Sequence, residues 1–344
     1  MSKTFNKVNS NIDFSLLSIK SDDVQKEDKN QSDQILFNIE TNQVFDNRNI
    51  KVEHALKILN QQWRIIGLRK RTIDSYNYNF KRLIDATKVT YMHEINADTI
   101  YQFLSSLGDV KDTTLHGCLK QIKSVLSRCH DNGWYQTKFW RNIKIKVDEV
   151  RKEAATETEL ALLLSLLDKT TFRGFRDSCA ILLLYKTGIR IRTLAELREC
   201  HVDFENKLLN MSGDIMKSHR SHLMPLDEQM CTLLKELINI NNEIRKENKQ
   251  KNDYIFLSNI GVPIADTVSP SNAIAKNLWV YSKRWNLKNV NPHSIRRLFA
   301  QNLLRKGANV NLISHALNHT DLSTTSRYLG IDSKEVAKNL RDYL

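Results

Sequence analysis

Residues 291–330 read NPHSIRRLFAQNLLRKGANVNLISHALNHTDLSTTSRYLG. Leu298, Phe299, Leu303 and Leu304 recur at helical spacing until Lys306-Gly307 breaks the run, and Val310, Ile313 and Leu317 start a second one. The first run opens with His293 and Arg296 one turn apart. His319 follows the second, and Tyr328 stands nine residues after His319. If the two helices fold back on each other, these four polar side chains can converge on one phosphate. Taken singly, each is an ordinary core or surface residue, so the reading rests on the rest of the chain.

The chain has 344 residues, 41% hydrophobic and 26% charged, with only 10 Gly and 4 Pro. That length holds two domains with their own cores, and the scarcity of turn formers favours helices over a loop-rich all-β fold. The net charge of +13 points to a polyanionic partner, nucleic acid before a membrane surface. Five scattered cysteines form no CxxC pair or ligand pattern, which predicts a reduced protein with small buried thiols. With no apolar run near 18 residues and no signal-like start, no membrane partner and a location in the cytoplasm of a cell without a nucleus are expected.

Residues 1–49 carry 6 basic and 8 acidic side chains, so this polar stretch is −2 and the remainder +15. It reads as a flexible tail. From 50 to 141 the helical period takes over. A first helix buries Val52, Ala55, Leu56, Leu59, Trp63 and Ile66. A second, capped by Thr72, buries Ile73, Tyr76, Phe80 and Leu83. A third starts at Asn96 or Asp98, and a fourth near Asp112 carries Leu115, Leu119, Ile122, Val125 and Leu126. Four helices make an all-α domain whose cations Arg69, Lys70, Arg71, Lys120 and Lys123 are candidate DNA contacts, as are Lys81 and Arg82. A solvated helix face is the competing reading. Trp134, Tyr135, Phe139 and Trp140 read as packing that closes the domain.

Residues 142–155 are charged and read as a linker. A second domain, 156–330, begins with a capping box at Thr156. It continues with a helix over 173–185 that buries Cys179, Leu182 and Leu183, and with TGIR at 187–190. Gly188 permits φ > 0 at the end of one helix, and Arg190 stands just before the next, where two elements position its guanidinium for an anion. Two short strands, 208–215 and 222–226, flank a polar turn containing Lys217, His219 and Arg220.

TGIR at 187–190, HSIRR at 293–297 and LNHTDLSTTSRY at 317–328 together resemble the motifs of the tyrosine recombinases, the phage integrases and Xer-like resolvases. Three motifs in the right order are a specific signal, and the resemblance covers about 156–330. It implies a mainly α protein: an all-α core-binding domain, then a mixed, mostly α catalytic domain with a small antiparallel β-hairpin or sheet. It also implies a site made of Arg190, Lys217, His293, Arg296, His319 and Tyr328, with Tyr328 as nucleophile and neither metal nor cofactor. A phenol of pKa about 10 needs such cationic company to attack phosphorus at neutral pH. His219 and Arg220 become candidate backbone-phosphate contacts.

The resemblance further implies double-stranded DNA with specific recombination sites as partner and a homotetramer on that DNA. Helix 331–344 is then expected to dock on a neighbouring subunit, with its own core as the competing site, and an accessory or directionality factor is left open. Asn-, Lys- and Ile-rich usage suggests an AT-rich genome, and a phage or mobile element is the expected source. Two positions depart from the family pattern. Asn318 stands where Gly is usual, and Thr193 where Glu is frequent, with Glu196 one turn on. These departures leave room for a DNA-binding regulator without recombination activity, and a type IB topoisomerase-like enzyme shares the chemistry.

Overall fold

A computed structural model describes residues 49–148, 152–216, 220–266 and 273–318, together with 325 and 329. The expectations for the tail before residue 49 and for the helix at 331–344 lie outside the described residues. The chain divides into two compact units, Met1–Asp148 and Glu149–Leu344.

In the first unit, helices α1 (Val52–Ile65), α2 (Lys70–Thr87), α3 (Ala97–Ser106) and α4 (Asp112–Asp131) each turn one apolar stripe inward. Val52, Ala55, Leu59 and Trp63 on α1 meet Ile73, Phe80 and Leu83 on α2, Ile100 and Phe103 on α3, and Leu119, Ile122, Val125 and Leu126 on α4. Helix α2 is central and packs on both α3 and α4. Its one buried amide, Asn79, donates to Gln121 Oε1 at 2.5 Å, so the two helices share a polar contact inside an apolar seam. The aromatic group is packing, as expected: Trp140 is buried and its ring lies 5.0 Å from Phe139 and 5.7 Å from Tyr135. Thr72 is not the cap of α2. The helix starts two residues earlier, behind an extended Arg69 that offers no side-chain cap.

The second unit is built round α6 (Phe172–Thr187), which follows α5 (Glu157–Leu166). Thr156 caps α5, accepting from Glu159 N, while Glu159 accepts from Thr156 N. Then come the short α7 (Ile191–Ala195) and an antiparallel sheet of β1 (Val202–Asp203), β2 (Leu208–Met211) and β3 (His222–Pro225). Val202 pairs with Leu209, Leu209 with Met224, and Met211 with His222. The hairpin was legible in sequence; β1, two residues long, was not. Helices α8 (Glu228–Glu247), α9 (Ala273–Arg284), α10 (Pro292–Arg305) and α11 (Val310–Ala316) complete the described part.

Helix α6 packs on α8, α9 and α10, so its burial is not the single stripe of Cys179, Leu182 and Leu183. Ile181 and Leu184 are fully buried and Leu182 only partly. Two of its charges are inside as well. Arg176 and Asp177 form a buried pair at 2.7 Å, Arg176 Nη1 donates to Leu257 O at 2.6 Å, and Asp177 Oδ2 accepts from Asn277 and Tyr281. Hydrogen-bonding both ions this fully offsets the cost of taking them out of water.

Two further readings change. The linker 142–155 is packed at both ends: Ile143 is buried in the first core, and Ala155 is buried in the second, donating to Ser294 O at 3.2 Å. Cys200 is exposed, whereas Cys118, Cys129, Cys179 and Cys231 are buried; burial pushes the Cys179 thiol up to about 12. No helix among the described residues is long and apolar enough to cross a membrane.

Candidate active site

The site grows from the end of α6. Gly188 leaves the helix at φ +61°, and a Cβ there would lie 2.2 Å from Phe299 Cδ1. Both the backbone conformation and the neighbour therefore require glycine. Two residues later Arg190, extended and half-buried, becomes the N-cap residue of α7. Its backbone is fixed by the α6–α7 turn while its side chain stays partly accessible.

Helix α10 supplies the facing wall. Asn291 accepts from His293 N at 3.1 Å and Ser294 N at 3.0 Å, with Pro292 at the first helical position. This cap sets where the helix begins, so His293 and Arg296 emerge one turn apart on one face. Arg296 is 3% exposed and donates through Nη1 to Gly188 O and through Nη2 to Leu317 O. One guanidinium thus ties the turn before Arg190 to the turn after α11. Arg297 faces elsewhere, donating to Glu153 O at 2.9 Å.

The electrostatics are one-sided. Burial, then the charges of Arg296, Arg297, Lys152 and Arg190, pull His293 below the ordinary imidazole range although the residue keeps a solvent-exposed face. His222, at the start of β3, is also pulled down: burial dominates, Arg296, His315 and Arg190 add to it, and the bond to Ala316 O opposes it. The strongest charges acting on both rings are cations. Such a cluster holds an anion, and both histidines stay neutral around pH 7 and able to take a proton.

Of the sequence-predicted site residues, Arg190, His293 and Arg296 are brought together. Lys217, His319, Tyr328 and the candidate His219 lie outside the described residues. Leu329, next to Tyr328 in sequence, is buried in the second core. Arg220 is exposed. Asn318 adopts φ +48°, the left-handed conformation that asparagine tolerates in place of glycine. Thr193 is buried with Oγ1 3.7 Å from Met216 Sδ, so it packs under the hairpin where a carboxylate is frequent in the family. Glu196 accepts from Arg192 at 2.8 Å.

Among the DNA-contact candidates, Arg69 is half-buried, Lys70, Arg71 and Lys120 are exposed, and Lys123 is not available as expected. Its ammonium donates to Ile143 O, and desolvation, then Lys144, lowers its pKa. His222 opens the predicted strand 222–226, but the sequence assigns it no role. Its place beside the polar turn was the only signal.

A mostly helical unit with a three-stranded sheet thus gathers Arg190 and Arg296 round two neutral histidines, a cluster suited to an anion. The chain matches the Phage integrase family over residues 153–335 and belongs to that family. It is 27% identical over 284 residues to a tyrosine recombinase of Thermosipho africanus (strain TCF52B), spanning 77% of this chain and 90% of that one. With tyrosine recombinase XerD of Staphylococcus haemolyticus (strain JCSC1435) it shares 25% over 280 residues, 78% of this chain and 91% of the relative. Similar solved structures include the Tn1549 transposon integrase in complex with transposon right end DNA, with TM-score 0.66, 15% identity, and 84% and 99% of the two chains covered. The lambda integrase tetramer bound to a Holliday junction gives 0.62 and 15%, covering 89% and 87%.

Proposed function

We propose that this protein is a site-specific DNA recombinase that cuts and rejoins DNA through a 3′-phosphotyrosyl intermediate. The observation that carries the reading is Arg296, buried and bridging the carbonyls of Gly188 and Leu317 beside Arg190 and His293 in a chain of the phage integrase family. Arg190 and Arg296 bind the non-bridging oxygens and stabilise the charge that grows in the transition state. The Tyr328 oxygen attacks phosphorus, the P–O5′ bond breaks, and Lys217 protonates the departing 5′ oxygen. His293, kept neutral by burial and then by its cationic neighbours, accepts the phenolic proton. His319 hydrogen-bonds the phosphate. The phosphotyrosyl bond conserves the energy of the phosphodiester, and attack by a new 5′-hydroxyl reverses the step.

Lys70 and Arg71, in the first turn of α2, oppose the helix dipole there, a placement that favours a phosphate as their partner. With Arg69, Lys120 and Arg220 they serve as backbone contacts. Four protomers on two sites fit this reading, supported by the similarity to a lambda integrase tetramer bound to a Holliday junction, as do a phage or mobile element as source and action on the bacterial nucleoid. The test uses a nicked suicide duplex carrying a site that the protein itself selects from a randomised pool. A covalent adduct forms with the wild-type chain and disappears in Tyr328→Phe. No adduct on that duplex, or an adduct persisting in the variant, refutes the proposal.

A further inference from the structure

Helix α11 ends with carbonyls that have no partner within the helix, as every helix does. Two consecutive ones are taken up from outside. Leu317 O accepts from Arg296, and Ala316 O lies 3.1 Å from His222 Nε2. A carbonyl only accepts, so His222 carries its hydrogen on Nε2. His222 opens β3 opposite Met211, five residues after Lys217 in sequence, and Ala316 stands three residues before His319. The groups that face the ring are Arg190, Arg296 and His315.

We propose that His222 is a positioning residue of the cleavage site: its Nε2–H bond to Ala316 O ties the exit strand of the hairpin that carries Lys217 to the turn that leads into His319. The inference rests on the recombinase reading and adds to it. Arg296 joins the Gly188 turn to Leu317, and His222 joins the hairpin to the adjoining peptide. Three chain segments far apart in sequence are thereby held to one short stretch of main chain. Removing the imidazole takes this donor from Ala316 O and leaves β3 held at its first residue by the pairing with Met211. Glutamine can restore the bond, because its carboxamide also offers an N–H to a carbonyl.

Full-length His222→Ala and His222→Gln are compared with wild type on the self-selected suicide duplex, reading duplex affinity, single-turnover adduct formation and melting temperature. The alanine variant should form adduct about tenfold more slowly with duplex affinity within about threefold, the loss expected for one hydrogen bond. The glutamine variant should recover most of the rate. An alanine variant as fast as wild type overturns the proposal, as does a glutamine variant as slow as alanine. Nitrogen-15 spectra of the histidine rings in the free protein, assigned by loss of the His222 signal in the variants, supply a readout without DNA. An Nε2–H ring supports the tie, and an Nδ1–H ring overturns it. A wild-type chain that makes no adduct refutes the recombinase reading, and the ring spectrum then decides the tie alone.

Discussion

Gly188→Ala is the substitution that tests the geometry most directly. The new methyl would sit 2.2 Å from Phe299 Cδ1 and 2.8 Å from Cε1 and Cγ. Carbon pairs in contact prefer about 3.5–4.0 Å, so the ring or the turn has to move by more than an ångström. The backbone adds a second cost, since alanine at φ +61° loses about 1–2 kcal/mol relative to the right-handed region. Overpacking typically adds about 1–3 kcal/mol. Phe299 borders an open groove with Tyr185, Met230 and Leu303, into which its ring can turn, and this limits the total to about 2–4 kcal/mol. At roughly 2–4 °C per kcal/mol for a unit of this size, the melting temperature should fall by about 4–16 °C. Arg296 lies one turn before Phe299 on α10 and donates to Gly188 O, so adduct formation should drop along with stability. Pairing the change with Phe299→Leu, which removes the colliding ring, should recover part of the loss. A variant that melts with the wild type, or a double variant whose effects merely add, refutes the reasoning.

Three other outcomes follow from the same structure. Asp177→Ala strips the partner from buried Arg176 and the acceptor from Asn277 and Tyr281, so the urea midpoint should fall by the equivalent of about 3–5 kcal/mol; an unchanged midpoint contradicts the buried pair. His201, His222 and His293 all have lowered pKa values, so below the ordinary value of 6.5 the unfolded chain takes up protons that the folded chain does not. Stability measured by denaturant titration should therefore decline as pH drops from about 7 toward 5, and a rise over that window counts against the buried neutral rings. Lys120→Ala should weaken duplex binding and reduce the salt slope by about 1, whereas Lys123→Met should leave the slope unchanged and lower the melting temperature, because its ammonium holds Ile143 O. Equal slopes for the two variants would show that the distinction between them is wrong.

What the sequence by itself determined is local. Apolar spacing placed the four helices of the first unit, the Thr156 capping box marked the start of α5, and a glycine at a helix end marked the left-handed backbone at Gly188. Each of these depends on interactions within one turn of chain, which neighbouring residues specify. The three motifs told the family for a related reason: their residue types carry a chemistry whatever fold presents them.

Tertiary structure decided the rest, because it depends on partners that sequence distance hides. Burial of α6 on more than one side, with an ion pair inside it, exists only once α8, α9 and α10 close over it. The true partner of Lys123 shows the same thing in miniature: its charged side chain reads as exposed until a main-chain carbonyl 20 positions on takes it. Arg296 was recognisable as a motif residue, but its bonds to carbonyls 108 positions before it and 21 after it were not. His222 was recognisable as the start of a strand but not as a site residue. Its bond spans 94 positions, and only packing brings β3 against the end of α11.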